Sequence, residues 1–185
     1  MVMNDLTGTR IAVLLANSGV EQAELTTPWQ ALGDAGARMT LIAPETGEVQ
    51  AFNNDVEKGD TFRADVAVAD ANAADYDALV LPGGTTNADR LRMDSDAIGF
   101  ITALAGSGTP IASICHGPWA LVEAGLVDGR TLTSFPSLQT DIRNAGGTWV
   151  DEEAVTCTAG NFTLVTSRNP GDLDPFVEAA AKAFA

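Results

Sequence analysis

The stretch from Pro110 to Ala120 constrains the fold of this 185-residue chain most, because it changes character abruptly at its middle. Proline opens a short apolar run, as it can at the first residue of a strand. A Cys-His-Gly-Pro sequence beginning at Cys115 interrupts that run, and a helical pattern follows. A strand that turns sharply into a helix leaves the residue at the turn exposed at the carboxyl end of the sheet. The stretch therefore predicts a strand–turn–helix unit with Cys115 at the turn.

Apolar runs and helical patterns alternate along the rest of the chain. Continuous apolar runs predict buried strands, and apolar residues at helical spacing predict amphipathic helices. The predicted strands cover residues 10–16, 39–43, 48–52, 61–66, 76–81, 111–114, 131–133, 155–158 and 162–167. The predicted helices cover residues 20–37, 96–105, 119–124, 137–145 and 172–184. This alternation predicts an α/β fold in one domain over residues 1–185, a three-layer doubly wound sandwich with a mostly parallel, flavodoxin-like sheet and helices on both faces.

The composition argues against several classes of function. The formal net charge is −15, and a field of that sign repels nucleic-acid phosphates and anionic lipids. The sequence contains no run of 18 or more apolar residues, and its first residues lack the pattern of a secretory signal. Two cysteines are too few for a disulfide framework and favour a reducing compartment. We therefore expect a cytoplasmic protein with no nucleic-acid or membrane partner.

Cys115 is the strongest candidate for chemistry in this chain. A thiol near free helix N–H groups and a cationic neighbour has a lowered pKa, so we predict that more of Cys115 is thiolate and that it is a nucleophile. The alternative is a buried cysteine that acts as a small apolar residue. Cys157 lies in a predicted hairpin with no acid–base neighbours, and we expect it to be a bystander.

His116 is the only histidine in the chain. A zinc site built from His and Cys would therefore lack ligands, and no metal site is predicted. A catalytic pair between Cys115 and a distant histidine cannot form within one chain. Because adjacent side chains on a sharp turn point in different directions, we do not expect direct proton transfer from Cys115 to His116. The alternative role for His116 is to cap the helix or to pack at an interface.

Three further loops are expected at the same edge of the sheet. The first carries Glu21 and Glu24 into a helix, where a protonated carboxyl can donate a hydrogen bond to a thiolate or an acid can simply complement the helix dipole. The second is a turn at Gly83 and Gly84, whose N–H groups, with that of His116, can bind an oxyanion; a tight turn without function is the alternative. The third follows the strand at 131–133. No Gly-x-Gly-x-x-Gly pattern or P-loop lysine is present, so no nucleotide cofactor is predicted.

With these residues in view, the chain resembles the PfpI family of intracellular cysteine proteases. That family belongs to the larger superfamily of class I glutamine-amidotransferase-like proteins, which includes a Parkinsonism-linked deglycase. The motifs that carry the resemblance are Gly19–Leu25, Asp77–Gly84, Pro110–Pro118, Thr133–Pro136, Asn144–Gly146, Trp149–Asp151 and Thr166–Arg168.

The resemblance implies roles for individual residues. The nucleophile falls on Cys115, and the glutamate that contacts the thiol falls on Glu24. In oligomers of this family an acidic residue of a neighbouring subunit is proposed to orient the histidine. That position falls on Asp89, where this chain has aspartate in place of glutamate after a loop that is one residue longer. The implied site residues are, for catalysis, Cys115, His116, Glu24 and Asp89, and for substrate or oxyanion binding, Gly83, Gly84, Glu21 and Gly117.

The resemblance also implies a function, without a cofactor, in which a thiolate attacks a carbonyl carbon. The implied activities are peptide hydrolysis, cofactor-independent glyoxalase activity and removal of methylglyoxal adducts, in protection against stress. The implied partners are a small carbonyl compound, a peptide or a glycated adduct, and further copies of the chain in a homodimer or higher homo-oligomer. A non-catalytic alternative is a redox sensor or holdase chaperone, in which Cys115 oxidises to a sulfinate held by Glu24. An enzyme-like fold without activity is a third possibility.

Overall fold

A seven-stranded sheet forms the centre of the computed structural model, which describes residues 4–185. The strands of the chain are β1 (Arg10–Leu14), β2 (Ser18–Glu21), β3 (Arg38–Ala43), β4 (Gly47–Asn53), β5 (Glu57–Ala64), β6 (Val66–Ala67), β7 (Ala78–Leu81), β8 (Ile111–Ile114), β9 (Thr131–Leu132), β10 (Thr148–Trp149), β11 (Ala154–Cys157) and β12 (Leu164–Ser167). The order in the central sheet is β11-β12-β8-β7-β1-β3-β6, and every neighbouring pair is parallel except β11 with β12.

Helices cover both faces of this sheet, because its central strands are apolar on both sides. Along β1, Ile11 and Val13 belong to one core cluster, whereas Ala12 and Leu14 belong to the other. The helices are α1 (Gln22–Asp34), α2 (Thr85–Arg92), α3 (Ser95–Gly106), α4 (Pro118–Glu123), α5 (Gln139–Asn144) and α6 (Leu173–Phe184). Helices α1 and α6 line the first core, and α2 to α5 line the second. The predicted α/β sandwich with a mostly parallel sheet is confirmed.

The first predicted helix begins later than expected. Residues 18–21 are extended and form β2, which pairs in parallel with β4 through Val20 and Ala51. The helical pattern of the sequence therefore starts at Gln22, and α1 ends at Asp34 rather than at residue 37. The prediction over residues 20–37 was wrong at its start because the pairing of β2 depends on a strand about thirty residues away, and at its end because Gly36 takes a φ of 101°, which stops the helix.

Two other predictions near the site need correction. The turn expected at Gly83 and Gly84 leads directly into a helix that was not predicted, α2, which begins at Thr85. The short strand predicted at 131–133 does not join the central sheet, because Thr131 pairs with Thr148 in a separate two-stranded sheet. The loop that follows it still reaches the carboxyl end of β8, since the N–H of Phe135 donates to the carbonyl of Cys115 at 2.8 Å.

The β4–β5 hairpin extends over the same edge of the sheet. The two strands are antiparallel, and their turn places Asn54 and Asp55 at φ values of 53° and 64°. Gln22 at the start of α1 holds the hairpin, because its Nε2 donates to Asp60 Oδ2 at 2.9 Å and its Oε1 accepts from the Asp60 N–H at 2.6 Å. The tip of the hairpin thereby lies next to the start of α2. Within residues 4–185, none of the helices has the length and apolar character needed to cross a membrane.

Candidate active site

Cys115 lies on a strained turn at the carboxyl end of β8. Its φ of 62° is in the left-handed region, which costs free energy for a residue with a side chain. Neighbouring elements hold it there, since its N–H donates to the carbonyl of Ser167 at 3.0 Å and its carbonyl accepts from Phe135. The side chain is buried, with 6% of the residue exposed. This is the strand–turn–helix geometry that the sequence predicts, and it aims the sulfur at the edge of the sheet.

Glu24 is fully buried beside the sulfur. Its Oε2 accepts the N–H of Gly83 at 2.7 Å, whereas Oε1 has no hydrogen-bond partner among residues 4–185. The approach of these groups requires glycine at position 83, because a Cβ there would lie 2.5 Å from Glu24 Oε2 and 2.7 Å from Cys115 Cβ. The Gly83 amide therefore holds the carboxyl group and is not free to bind an oxyanion.

Glu24 holds its proton at neutral pH. Burial, helped by the charges of Glu21 and Asp55, raises the pKa of this carboxyl to about 8, although the hydrogen bonds from Cys115 and Gly83 lower it. A protonated carboxyl at this position is a hydrogen-bond donor for a thiolate.

The environment of the Cys115 thiol differs from the one that we predicted. Burial raises its pKa, a charge on Glu24 raises it further, and the N–H groups of Gly84 and His116 oppose this shift. The predicted lowering is wrong because the sulfur is buried, three residues before α4 begins at Pro118. Two negative charges cannot easily coexist in this space, so Glu24 and Cys115 together carry at most one at neutral pH.

His116 contacts the sulfur directly. Its Nδ1 lies 3.2 Å from Cys115 Sγ, so our expectation that adjacent side chains would diverge is wrong for this left-handed turn. The other ring nitrogen, Nε2, lies 3.3 Å from the hydroxyls of both Thr85 and Ser137, and the ring stacks on Phe135 with a centroid distance of 4.6 Å. Burial lowers the pKa of His116, and the charge of Asp55 opposes this shift. The lowered pKa favours the neutral imidazole.

The two remaining glycines of the predicted site have different surroundings. Gly84 has a φ of 91° and caps α2, and its N–H faces the Cys115 sulfur. A side chain at Gly84 would collide with the carbonyl oxygen of Gly19. Gly117 does not offer an N–H to the site, because that group donates to the carbonyl of Ile114 at 2.9 Å. The amides left for an oxyanion are those of Gly84 and His116.

The two other predicted acids lie away from the sulfur. The Glu21 carboxylate accepts the N–H groups of Asn54 and Asp55 at 3.2 and 3.3 Å, so it holds the hairpin tip. Asp89 is exposed on α2 and is not among the groups that contact the His116 ring within residues 4–185. A single chain therefore brings Glu24 to the thiol but does not bring Asp89 to the histidine.

Several residues of the site were not found from the sequence. Asn87 is fully buried and supports the Gly83 turn, since its Oδ1 accepts from the Ala16 N–H at 2.7 Å and its Nδ2 donates to the Gly83 carbonyl at 2.9 Å. Thr85 starts the helix that we did not predict, and Ser137 lies in the loop after β9. None of them belongs to a motif with a recognisable chemistry. In the part of the chain that the structure describes, no group of three His, Cys, Asp or Glu side chains has the arrangement of a metal site.

The fold and this constellation define a class. It is that of doubly wound α/β proteins with a cysteine on a strand-to-helix elbow, next to a buried carboxyl group and an adjacent histidine. The model of the DJ-1/PfpI family matches residues 9–183. The chain therefore belongs to the DJ-1/PfpI family.

Individual relatives agree with this assignment. General stress protein 18 of Bacillus subtilis is 37% identical over 169 residues, which are 91% of this chain and 94% of that protein. Deglycase PfpI of Pyrococcus furiosus is 35% identical over 164 residues, or 89% of this chain and 92% of the relative. Among solved structures, DJ-1beta of Drosophila melanogaster matches with a TM-score of 0.81 and 29% identity, over 96% of this chain and 90% of the other.

Proposed function

We propose that this protein is a cysteine-dependent hydrolase or lyase that acts on small carbonyl compounds or their adducts with amines. The observation that carries the proposal is the contact of Cys115 Sγ with His116 Nδ1 beside the buried Glu24 carboxyl group, which is hydrogen-bonded to Cys115. These groups supply a nucleophile, a proton acceptor and a proton donor within one buried space. Relatives named as deglycases support the same class of reaction.

The first step is proton removal from the thiol. His116 Nδ1 accepts that proton at 3.2 Å, and the imidazole is neutral beforehand because burial lowers its pKa. The thiolate then accepts hydrogen bonds from the N–H groups of Gly84 and His116 and from protonated Glu24. This arrangement leaves one negative charge on the sulfur with Glu24 still neutral.

The second step is attack on a carbonyl carbon. A C–S bond forms, the carbonyl π pair moves onto oxygen, and the oxyanion accepts hydrogen bonds from the Gly84 and His116 amides. In an amide, the proton held by the imidazolium passes to the nitrogen as the C–N bond breaks, and an acyl thioester remains. In methylglyoxal, that proton passes to the oxyanion to give a hemithioacetal, and movement of a proton from the sulfur-bearing carbon to the neighbouring carbonyl carbon, through an enediol, gives a lactoyl thioester. In an amine adduct, the thiolate displaces the amine from the hemiaminal carbon, the amine takes the imidazolium proton, and the same hemithioacetal forms. Attack of water on the acyl carbon then breaks the C–S bond and restores the thiol.

The burial of the sulfur favours a small substrate. Cys115 is 6% and His116 is 5% exposed, so an extended peptide has little room to cross the sulfur. A small aldehyde or ketone, or its adduct at the end of a side chain, needs only one narrow approach. We therefore propose glyoxalase or deglycase activity on methylglyoxal and its adducts, with peptide hydrolysis as the alternative activity of the same thiolate.

Oligomer formation is a further part of this proposal. Asp89 is exposed on α2, where a second copy of the chain can cover it, and its carboxylate can then approach the partner subunit's His116. In such a homodimer or higher oligomer Asp89 would stabilise the imidazolium formed when the thiol loses its proton.

The test uses three substrates in a buffer without amines or thiols. Free methylglyoxal, a preformed adduct of methylglyoxal with N-acetylarginine and a fluorogenic peptide are each incubated with wild type, Cys115→Ser and, as the matched control, Cys157→Ser. We expect Cys115→Ser to lose at least about 100-fold in rate on the true substrate and Cys157→Ser to retain the wild-type rate. A residual rate in Cys115→Ser equal to that of wild type on all three substrates would reject the proposal.

The adduct needs one further comparison, because free methylglyoxal and its adducts interconvert. Deglycase activity requires enzyme-catalysed loss of adduct that is faster than its spontaneous dissociation. Loss limited to the spontaneous rate, with rapid consumption of free methylglyoxal, assigns glyoxalase activity instead.

A redox sensor is the second candidate function. The protonated Glu24 carboxyl group and the amides of Gly84 and His116 can hold the oxygens of a Cys115 sulfinate. Oxidation of the thiolate by two molecules of peroxide gives the sulfinate and two molecules of water. Mass spectrometry after mild peroxide treatment should then show two added oxygens on Cys115, and modification confined to Cys157 would reject this candidate.

A further inference from the structure

Two hydroxyl groups contact the outer nitrogen of the His116 ring. Nε2 lies 3.3 Å from Thr85 Oγ1 and 3.3 Å from Ser137 Oγ, whereas Nδ1 lies 3.2 Å from Cys115 Sγ. A neutral imidazole carries its proton on one nitrogen and accepts only at the other. The position of that proton therefore decides whether His116 can take the thiol proton of Cys115.

The hydroxyl proton of Thr85 is already committed to Asp55. Thr85 Oγ1 donates to Asp55 Oδ2 at 2.8 Å, and the Thr85 backbone N–H donates to Oδ1 at 2.7 Å. Because a carboxylate only accepts hydrogen bonds, the Thr85 hydroxyl can face Nε2 only as an acceptor. That contact is favourable when Nε2 carries the proton and unfavourable when it does not.

Ser137 does not impose the same choice. Its hydroxyl is on an exposed residue and can turn either to donate to Nε2 or to accept from it. The two hydroxyl contacts therefore differ in kind although their distances to Nε2 are equal. Thr85, with its proton fixed by Asp55, selects the tautomer.

The Asp55 carboxylate is held in place by its own turn. Both Asn54 and Asp55 have positive φ values, and their N–H groups donate to the buried Glu21 carboxylate. Thr85 is the first residue of α2, so its N–H has no partner within the helix and is available to Asp55. Both carboxylate oxygens of Asp55 are thus used to hold one threonine.

We propose that Asp55 positions His116 through Thr85, with the imidazole proton on Nε2 and Nδ1 free to accept the thiol proton. Asp55 and Thr85 act on the ring and do not touch the reacting atoms, so they are positioning residues. The hydrogen bonds from Asp55 through Thr85 to His116 lie within one chain, so they orient the ring without a neighbouring subunit. The inference rests on the proposed nucleophilic role of Cys115.

The single histidine makes the tautomer directly measurable. Protein labelled with ¹⁵N-histidine gives the two ring nitrogen resonances of His116 without assignment, and in wild type we expect the Nε2–H form. Thr85→Val keeps the branched shape but removes the hydroxyl. It should shift the imidazole population toward the form that carries its proton on Nδ1. Because fewer molecules then have an unprotonated Nδ1 to accept the thiol proton, alkylation of Cys115 by iodoacetamide at neutral pH should slow by about tenfold.

Three variants complete the experiment. Thr85→Ser retains the hydroxyl and should keep the wild-type tautomer and alkylation rate, whereas Ser137→Ala should leave the tautomer unchanged, because that hydroxyl can either donate or accept. Asp55→Ala should shift the tautomer in the same direction as Thr85→Val. Because Asp55 is at an exposed hairpin tip, Asp55→Ala serves as the test if Thr85→Val does not fold.

An unchanged tautomer in Thr85→Val and in Asp55→Ala would overturn the inference, and so would an equal shift in Ser137→Ala. Neither readout needs a substrate. Failure of wild type to turn over any carbonyl compound would therefore reject the proposed function without deciding this test.

Discussion

The two cysteines of this chain are both buried, yet only one has the surroundings of a nucleophile. Cys157 is 9% exposed and lies at the end of the edge strand β11, where it pairs with Leu164 and joins the second core cluster. Cys115 is 6% exposed at a turn with a φ of 62°. Burial is thus nearly equal, and the difference lies in backbone strain and in polar neighbours.

These neighbours explain what burial alone does not. A buried thiol with apolar surroundings is a small hydrophobic side chain, because its thiolate has nothing to stabilise it. At Cys115 the same burial comes with a proton acceptor at His116, a protonated carboxyl at Glu24 and two backbone N–H groups. Burial then strengthens these contacts and keeps water out.

Removal of the carboxyl proton should make Cys115 behave more like Cys157. In Glu24→Gln the carboxylic-acid donor to the thiolate is replaced by a weaker amide donor, so the thiolate that forms during attack is less stabilised. We expect kcat/KM on the true substrate to fall by up to about 100-fold, as when one preorganised hydrogen-bond donor to a developing charge is lost. A rate within threefold of wild type would show that the Glu24 carboxyl group does not stabilise the thiolate.

The same variant should change how stability depends on pH. The folded protein holds the Glu24 proton to about pH 8, whereas an ordinary glutamate loses it near 4.5. The stabilising contribution is therefore full below pH 4.5 and is lost progressively as the pH rises to about 8, by at most about 5 kcal/mol. Urea unfolding from pH 4.5 to 8.5 should show this fall in the free energy of unfolding for wild type and a smaller one for Glu24→Gln. Parallel curves would contradict the raised pKa.

Gly83→Ala tests the close packing that surrounds Cys115. The added Cβ would lie 2.5 Å from Glu24 Oε2 and 2.7 Å from Cys115 Cβ. We expect a loss of about 1–3 kcal/mol in the free energy of unfolding and at least about a tenfold loss in activity. The matched control is Gly99→Ala in α3, where a Cβ meets nothing within 4 Å. This substitution should stabilise the helix by up to about 1 kcal/mol, because alanine favours a helix more than glycine does. Equal changes in stability and activity for Gly83→Ala and Gly99→Ala would mean that the site tolerates a displaced Glu24 carboxyl group.

The smallest effect is expected at Asp89. If this exposed residue reaches the partner subunit's His116 in an oligomer, Asp89→Ala should lower kcat/KM about threefold without changing the oligomeric mass, as for other exposed charge interactions. Analytical ultracentrifugation checks the mass alongside the kinetics. An unchanged rate in Asp89→Ala would mean that Asp89 does not act on the His116 ring and that Thr85 and Asp55 of the same chain orient it.

The sequence predicted the parts of the molecule that depend on local pattern. The buried strands, the elbow at Cys115 and the shared edge of the loops that carry Glu21, Glu24 and Gly83 follow from apolar runs and from the rule that loops after parallel strands share one edge. The choice of Glu24 rather than Glu21 as the acid at the thiol came from the family resemblance. The contact of Cys115 with His116 was not predicted, because it depends on the left-handed backbone of the elbow, which the residue types do not reveal.

The residues around the imidazole were missed for a different reason. Asp55 comes from a hairpin outside the central sheet, and Thr85 from a helix whose polar first turn gives no amphipathic signal. Their meeting depends on the docking of that hairpin by Gln22 and Glu21. Contacts between separately docked elements have no signature in residue spacing, so only the folded chain reveals them.

The most direct test of the difference between the two cysteines is their alkylation within one molecule. Wild-type protein is treated with a limited amount of iodoacetamide between pH 5 and 9.5, and mass spectrometry gives separate rates for Cys115 and Cys157. The two cysteines have similarly small exposed fractions, so the comparison isolates the contribution of the acid–base neighbours. We predict that at pH 8 Cys115 reacts at least about tenfold faster than Cys157, because His116 can take its proton as the S–C bond forms, even though burial raises the pKa of the resting Cys115 thiol. Equal rates, or faster reaction of Cys157, would contradict the assignment of Cys115 as the nucleophile.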